Sequence, residues 1–370
     1  MPPLSIMLKP ASSMCNMDCD YCFYHDETKR RSVVSYGPMT EDTLRNIIRR
    51  TMSRAEGYIA YACQGGEPTL AGLDFFRTMV RLEQQYNQKG IRVDNALQTN
   101  GLLLDESWCA FLKEHHFLVG LSLDGTAAVH DLYRKDRGGE GTFARVRQAA
   151  DLMTRTGVEF NILTVVTADV CRHIEEIYSY YKQSGWMYQQ YIACLDPMDG
   201  TPGGAWSLDP EEYGRFLIRL FDLWYADVLK GRQPFIRQFD NYVALAAGYI
   251  PEACDQRGTC GVQYAVEADG SVYPCDFYMT DAYRLGNFNR DRLDAIDEKR
   301  RAIGFIERSM QLDEACRTCP HKPLCRGGCY RNRSEGETIL KNRLCTGYQM
   351  FFEACGDRLR ALGQQVLRAR

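Results

Sequence analysis

Three cysteines near the start of the chain are too few to complete a metal cluster by themselves. Cys15, Cys19 and Cys22 are separated by three and two residues, and Phe23 follows directly. A four-iron cluster is normally held by four thiolates, so three of them leave one iron open to bind another molecule. The spacing therefore predicts a reactive centre. The alternative is a tetrahedral zinc site, because a Cys-x-x-Cys pair suits zinc and His25 offers a fourth ligand.

A second group of cysteines lies in the last third of the chain. Its eight thiolates are enough for two fully ligated four-iron clusters. The group consists of Cys254, Cys260, Cys275, Cys316, Cys319, Cys325, Cys329 and Cys345, with Gly270 five positions before Cys275. Metal ligation would join distant segments, so we expect this region to fold only with its metal bound. A pair of zinc ribbons would use the same residue types and is the alternative here.

The composition favours a reducing compartment. The chain has 16 cysteines in 370 residues, whereas disulfide scaffolds are small secreted domains and this chain is long enough to bury its own core. The first ten residues contain no export signal, and no apolar run reaches membrane-spanning length. The net charge of -3 and the pI of about 6.1 argue against a nucleic-acid surface. We therefore expect a cytoplasmic protein that binds neither nucleic acid nor membrane.

Between the two cysteine groups, short β-like runs alternate with longer amphipathic stretches. Six strands are predicted at residues 4–9, 58–63, 92–98, 117–123, 158–166 and 187–193. A helix is predicted to begin after Thr40, which is a suitable N-cap with acidic residues behind it. Repeated strand–helix units imply a parallel sheet with right-handed crossovers. The pattern predicts an α/β fold, an incomplete (β/α)6 barrel.

Several short motifs follow these strands, at the edge where parallel barrels carry their chemistry. Residues 64–69 read Gln-Gly-Gly-Glu-Pro-Thr, in which the glycines allow a close backbone approach. Residues 98–101, Gln-Thr-Asn-Gly, fit a turn or a site wall equally well. Ser122 ends the fourth strand, and Arg134 is suited to binding a carboxylate with its planar fork. Leu195 follows the sixth strand.

The first cysteine group together with the Gly-Gly-Glu-Pro motif resembles the radical S-adenosylmethionine (SAM) superfamily. The resemblance implies a TIM-like partial barrel in which Cys15, Cys19 and Cys22 hold a [4Fe-4S] cluster and SAM chelates its open iron. The positions that match SAM contacts in that superfamily are Tyr21, Gly66, Ser122, Arg134 and Leu195.

The second group resembles the cysteine signature of SPASM domains, which follow the barrel in radical SAM enzymes that modify peptides. The resemblance implies two auxiliary [4Fe-4S] clusters, and so three clusters in all. It assigns Cys254, Cys260, Cys275 and Cys329 to the first auxiliary cluster, and Cys316, Cys319, Cys325 and Cys345 to the second. The predicted domains are a barrel with a connecting helix at 1–235, a SPASM domain at 236–350 and a C-terminal helix at 351–370.

Residues 264–278 read as a hairpin with an Asp-Gly turn, and they place Asp276 directly after Cys275. With the lead-in at residues 9–13, the chain is similar to anaerobic sulfatase-maturating enzymes. That resemblance implies oxidation of a cysteine or serine in a sulfatase to Cα-formylglycine: a 5′-deoxyadenosyl radical takes a hydrogen from Cβ, and Asp276 is the general base. The other interpretation of Asp276 is a turn or strand-end cap.

The resemblance further implies a nascent or unfolded sulfatase as substrate and a reduced donor such as ferredoxin or flavodoxin. One rival function is a radical SAM maturase that crosslinks or epimerises a ribosomal peptide with the same clusters. Asp276 beside Cys275 favours sulfatase maturation, because a dehydrogenation needs a base. A second rival is a zinc-binding interaction protein, which leaves the Gly-Gly-Glu-Pro motif unexplained.

Overall fold

The computed structural model describes residues 3–335 and 338–368. Its strands are β1 (Leu4–Leu8), β2 (Tyr58–Cys63), β3 (Arg92–Thr99), β4 (Leu118–Ser122), β5 (Phe160–Val166), β6 (Tyr188–Ala193), β7 (Phe235–Ile236), β8 (Tyr264–Val266), β9 (Ser271–Tyr273), β10 (Gly286–Asn287), β11 (Ser334–Glu335) and β12 (Thr338–Ile339). Its α-helices are α1 (Phe23–Thr28), α2 (Glu41–Arg54), α3 (Leu73–Tyr86), α4 (Glu106–Glu114), α5 (Ala127–Tyr133), α6 (Phe143–Thr156), α7 (Ala168–Arg172), α8 (Ile174–Gln183), α9 (Pro210–Val228), α10 (Arg237–Ala246), α11 (Cys254–Arg257), α12 (Leu293–Ala302), α13 (Phe305–Ser309), α14 (Lys322–Cys325) and α15 (Cys345–Arg368). Short 3-10 helices occupy Pro68–Ala71, Asp276–Tyr278, Asp281–Tyr283, Glu314–Cys316 and Tyr330–Asn332.

The α/β class and all six predicted strands are confirmed, with strand ends that differ from the predictions by at most two residues. The predicted cap of α2 is also present, because the Thr40 hydroxyl accepts a hydrogen bond from the Thr43 amide at 3.2 Å. The predicted hairpin forms between β8 and β9. These features were predictable because apolar runs and local caps are properties of short sequence windows.

The chain divides into two compact units that interleave along the sequence. Unit 1 contains residues 1–122, 134–160 and 262–305, and unit 2 contains 123–133, 161–261 and 306–370. The three linear domains stay a prediction. The helix that we expected at 351–370 begins at Cys345, and residues 369–370 lie outside the described part of the chain.

Unit 1 is built on a parallel ladder. Strands β1 to β4 pair in chain order, and β8 pairs parallel to the other edge of β1. The register pairs Leu8 with Cys63 and with Val266, so the carboxyl ends of three strands lie at one edge. Leu8 and Ile6 are fully buried. Because parallel strands end at a common edge, the loops after β1, β2 and β3 are brought together there.

Unit 2 contains the parallel pairs β5–β6 and β6–β7 and a helical core. In that core α9, α10 and α15 pack through aromatic side chains. The ring of Phe351 lies 5.8 Å from that of Phe221 and 6.0 Å from that of Phe239, and Tyr242 meets Phe352 edge-on at 5.2 Å. Such pairs bury large apolar areas in defined orientations and so hold α15, which begins at Cys345, in a fixed place. Within residues 3–335 and 338–368, no helix is both long and apolar enough to cross a membrane.

Candidate active site and cysteine clusters

The loop that carries the first cysteine group runs from the end of β1 to α1. Cys15, Cys19 and Cys22 are each partly exposed. The Cys22 amide donates to the Cys19 carbonyl at 3.0 Å, which turns the chain into α1, and the Met17 amide donates to Cys15 Sγ at 3.3 Å. Burial, with Glu67 and Cys22 adding to it, raises the pKa of Cys15 to about 11. Clustered thiols of this kind fit a metal that replaces their protons.

The turn after β2 lies directly against this cysteine loop. Gly66 has a φ of +52°, and a Cβ there would lie 2.2 Å from the Met14 carbonyl oxygen. The Glu67 amide donates to that same carbonyl at 2.8 Å. Only a residue without a side chain permits this approach, so Gly66 brings its backbone beside the cysteine loop, and its predicted contact with SAM stays a prediction.

Glu67 of the same motif connects the loops after β2 and β3, and it was not among the residues predicted from sequence. Its side chain is buried and accepts from the Thr69 amide and hydroxyl at 3.0 and 2.7 Å. It also accepts from the Thr99 hydroxyl and the Asn100 amide, both at 2.7 Å. Burial raises the pKa of Glu67, and these hydrogen bonds lower it. The acidic residue inside Gly-Gly-Glu-Pro was the available signal.

Asn100 belongs to the motif at 98–101 whose role the sequence left open. Its side-chain amide donates to Asn16 Oδ1 at 2.7 Å and lies 3.9 Å from Cys15 Sγ. The motif therefore forms part of the wall of the cysteine loop. Glu67 fixes its backbone and Asn100 contacts the loop, so the two cooperate in setting the position of Cys15.

Four of the predicted SAM contacts lie in unit 1 and one lies in unit 2. The guanidinium of Arg134, which is buried, lies 5.4 Å from the centre of the Tyr21 ring. Ser122 is buried at the carboxyl end of β4. Leu195 follows β6 in unit 2 and is half-buried. Arg134 also lowers the pKa of Cys22, which is otherwise raised by burial, so this cation faces the cysteine loop.

Asp276 lies at the centre of a buried hydrogen-bonded group in unit 1. Its Oδ1 accepts from the Tyr24 hydroxyl at 2.9 Å and from the Lys9 ammonium, and its Oδ2 accepts from Gln64 Nε2 at 2.8 Å. Lys9 is 1% exposed and Asp276 4%. A Cβ at Gly65 would lie 2.2 Å from Lys9 Cδ, so the glycine turn also accommodates the lysine. Asp276 was among the residues predicted from sequence, whereas its three partners were not.

A second carboxyl group, that of Glu27 in α1, lies near Asp276. Glu27 is 2% exposed, its Oε1 accepts from the Met279 amide at 3.4 Å, and within the described residues its Oε2 has no hydrogen-bond partner. Burial, then the charge of Asp276, raises the pKa of Glu27 well above its ordinary range, while Lys9 and Arg31 lower it. The surroundings of Asp276 are therefore dry and charged.

Three of the four cysteines predicted for the first auxiliary cluster are neighbours in unit 2. Cys254 raises the pKa of Cys260, for which burial is the main cause, to about 11. Burial raises the pKa of Cys329, and both Cys254 and Cys260 raise it further. Cys275, the fourth predicted ligand, is partly exposed in unit 1, directly before Asp276.

The four cysteines predicted for the second auxiliary cluster line one cavity in unit 2. Cys316, Cys319, Cys325 and Cys345 share it with the rings of Tyr348 and Phe352 and the side chain of Lys322. Four thiols around one cavity are the donor set of a [4Fe-4S] cluster. Among residues 3–335 and 338–368, no group of three or more cysteine, histidine or acidic side chains is arranged to hold a single metal ion.

Comparisons with known proteins match both cysteine-bearing parts of the chain to known families. The radical SAM superfamily matches residues 10–180, and the SPASM family, an iron–sulfur cluster-binding domain, matches residues 258–320. The chain is 45% identical to the cysteine-type anaerobic sulfatase-maturating enzyme of Clostridium perfringens strain 13, over 97% of this chain and 98% of that protein. It is 31% identical to the serine-type enzyme of Klebsiella aerogenes, over 95% of this chain and 84% of that protein.

Among solved structures, native anSMEcpe with bound AdoMet and Cp18Cys peptide matches with a TM-score of 0.94 and 43% identity, covering 99% of this chain and 100% of that one. The predicted radical SAM and SPASM domains are confirmed, and with them the use of SAM and iron–sulfur clusters. Individual ligands and contacts stay predictions. Since the matches extend over nearly the full length, the chain belongs to the anaerobic sulfatase-maturating enzymes, a family of radical SAM oxidoreductases.

Proposed function

We propose that this chain oxidises a cysteine in a sulfatase polypeptide to Cα-formylglycine, with serine as the less favoured substrate. The preference for cysteine rests on the higher identity to the cysteine-type relative, 45% against 31%. The observation that carries the proposal is the buried Asp276, which is bonded at both carboxylate oxygens and lies one position after the predicted ligand Cys275. A dehydrogenation needs a base of this kind.

The residues present fit the cofactors. Cys15, Cys19 and Cys22 would hold the cluster that binds SAM, and the SAM contacts would come from Tyr21, Gly66, Ser122, Arg134 and Leu195. When bound at a reduced cluster, SAM supplies a 5′-deoxyadenosyl radical that removes a hydrogen atom from the substrate Cβ. We assign two further [4Fe-4S] clusters to the eight cysteines of the second group.

Asp276 then removes the thiol proton as the carbon–sulfur double bond forms. We assign Oδ2 as the accepting atom, because it accepts only the neutral Gln64 amide within the described residues, whereas Oδ1 accepts both Lys9 and Tyr24. Lys9 and Tyr24 hold the carboxylate in one orientation. Loss of the Cβ hydrogen atom, the thiol proton and one electron gives a thioaldehyde, and water converts it to the aldehyde with release of hydrogen sulfide.

SAM cleavage consumes one electron, and oxidation of the substrate radical releases one. We therefore propose a reduced one-electron carrier, such as ferredoxin or flavodoxin, as the partner that supplies the first electron. We place the reaction in the cytoplasm, since free thiols and iron–sulfur sites fit a reducing compartment.

The test is anaerobic incubation of reconstituted protein with SAM, dithionite and a peptide containing Cys-x-Pro-x-Arg, followed by mass spectrometry of the peptide. The expected product is the aldehyde, formed together with 5′-deoxyadenosine. A peptide with serine at the same position measures the preference, and one with alanine is the control. Deoxyadenosine without peptide oxidation would favour the ribosomal-peptide maturase instead.

A further inference from the structure

Arg333 is a buried cation among the cysteine-bearing segments of unit 2. It follows Cys329 by four positions and is 2% exposed. Its guanidinium donates to the carbonyl oxygens of Gly258 at 3.1 Å and Gly328 at 3.4 Å, and also to those of Ser309 and Gln311. One side chain thus binds backbone from three separate stretches of sequence. An arginine is suited to this, because its fork presents five donors in fixed directions.

Each of these stretches carries cysteines of the second group. Gly258 lies between Cys254 and Cys260, and Gly328 immediately precedes Cys329, all from the first proposed auxiliary site. Ser309 and Gln311 belong to the segment that leads into Cys316 of the second site. A further hydrogen bond links the segment of Cys260 to that of Ser309, since the Cys260 amide donates to Ser309 Oγ at 2.9 Å.

The guanidinium of Arg333 reaches the backbone beside both sites. It donates to the Gly258 carbonyl, two residues before Cys260, and to the Gln311 carbonyl, five residues before Cys316. A cation removed from water exerts a stronger field than an exposed one, because little solvent screens it. Arg333 is therefore placed to act on both sites at once, whereas Arg317 is exposed and lies in sequence between Cys316 and Cys319 of the second site.

We propose that Arg333 is a positioning residue shared by the two auxiliary clusters, whose positive charge raises the reduction potential of both. The proposal rests on the cluster assignment made above. The physical reason is that a reduced cluster carries one more negative charge than an oxidised one, so a nearby buried cation stabilises the reduced form. Charge and hydrogen bonding around a cluster are known determinants of its potential.

The experiment uses a parent protein with Cys15→Ala, Cys19→Ala and Cys22→Ala, in which only the auxiliary clusters contribute to the measured signal. Arg333→Met removes the charge, Arg333→Lys keeps it, and Arg317→Met is the matched control. Iron and sulfide content are measured first, followed by reduction potentials from titrations monitored by electron paramagnetic resonance. No peptide substrate is needed, so an error in the proposed substrate cannot affect the outcome.

The expected result is a shift to more negative potential of both clusters in Arg333→Met, with Arg333→Lys and Arg317→Met close to the parent. If Arg333→Met fails to retain iron, retained iron and parent-like potentials in Arg333→Lys support the proposal, because lysine keeps the charge but lacks the five-donor fork. Unchanged potentials in loaded Arg333→Met, a shift of one cluster alone, or iron loss in both variants would overturn it. A parent without auxiliary iron would overturn the cluster assignment as well.

Discussion

Buried carboxylates organise the candidate site of unit 1, whereas arginines organise the cysteine segments of unit 2. In unit 1, Glu67 and Asp276 each accept several hydrogen bonds from residues on strand-end loops. In unit 2, Arg333 donates to backbone carbonyls, and Arg331 and Arg343 donate to the carbonyls of Asp196 and Cys194. The two regions therefore use opposite charges: Glu67 accepts from backbone amides and Arg333 donates to backbone carbonyls, whereas the donors to Asp276 are side chains.

The difference follows from what each backbone leaves unpaired. The loops of unit 1 follow strands of the parallel sheet. Their amides and hydroxyls can donate hydrogen bonds to a carboxylate. The segments around residues 254–260 and 309–345 contain mostly short helices and turns, so their carbonyls need donors from side chains. The comparison indicates that unit 1 holds its site by protein contacts, while unit 2 depends more on its metal.

Removal of iron tests this comparison with the largest expected effect. We expect backbone amides at 254–260 and 309–345 to lose protection from hydrogen exchange in apo-protein, because metal ligation supplies much of the folding free energy of such regions. Amides of β1 to β4 keep their protection. Exchange followed by mass spectrometry, with protein reloaded with iron as control, measures both. Equal loss of protection in the two regions would remove the distinction.

The Asp276→Asn variant tests whether the carboxylate of Asp276 acts as a base and not only as a structural hydrogen-bond acceptor. The amide keeps nearly the same shape but cannot take a proton, so aldehyde formation should fall by about 10²–10⁴-fold, the usual contribution of a general base. SAM cleavage to deoxyadenosine should continue. Asp281→Asn is the control, since that exposed carboxylate accepts from the Ser32 amide at 2.7 Å. Normal aldehyde yield in Asp276→Asn would exclude the base.

Sequence alone predicted the strands and the Thr40 cap, because each depends on a short window, whereas Asp276 was singled out by the family resemblance and its role stays a prediction. It did not predict the residues that complete the sites. Lys9 meets Asp276 across 267 positions and Arg333 meets Gly258 across 75, contacts that only the folded chain creates. Gln64 and Glu67 belong to the motif at residues 64–69. The sequence does not show their hydrogen-bond partners, because β2, β3 and the hairpin bring these together only in the folded chain.

Glu67→Gln tests the carboxylate as a structural acceptor, with a smaller effect. Glu67 Oε2 accepts from the Asn100 amide at 2.7 Å, and Oε1 takes the Thr69 and Thr99 donors. A glutamine can replace only one of these oxygens, which leaves a buried donor unpaired at a cost of about 1–3 kcal/mol. The free energy of unfolding from urea titration should fall by that amount. An unchanged value would show that the loops hold each other without Glu67.

Glu83→Gln, also in unit 1, should change the free energy of unfolding in the direction opposite to Glu67→Gln. Its effect should be the smallest. Glu83 Oε2 accepts from Asn95 Nδ2 at 2.9 Å, and within the described residues Glu83 Oε1 and Asn95 Oδ1 have no partner. A protonated Oε1 is a hydrogen-bond donor, and the amide nitrogen of glutamine is a donor that does not titrate. Substitution should therefore keep the hydrogen bond from Asn95 at every pH, whereas Glu67→Gln removes an acceptor.

The pH dependence separates the two glutamates. Burial raises the pKa of Glu83 from 4.5 to about 7, so the folded state holds a proton that the unfolded chain has released. Stability from this group is complete below pH 4.5 and falls as the pH rises through 7. Between about pH 6 and pH 8 the loss is about 1.4 kcal/mol. Urea unfolding at both pH values should show this loss in the parent and a correspondingly smaller one in Glu83→Gln. Equal losses would mean that Glu83 is ionised in the fold, and that its hydrogen bond to Asn95 suffices without a proton.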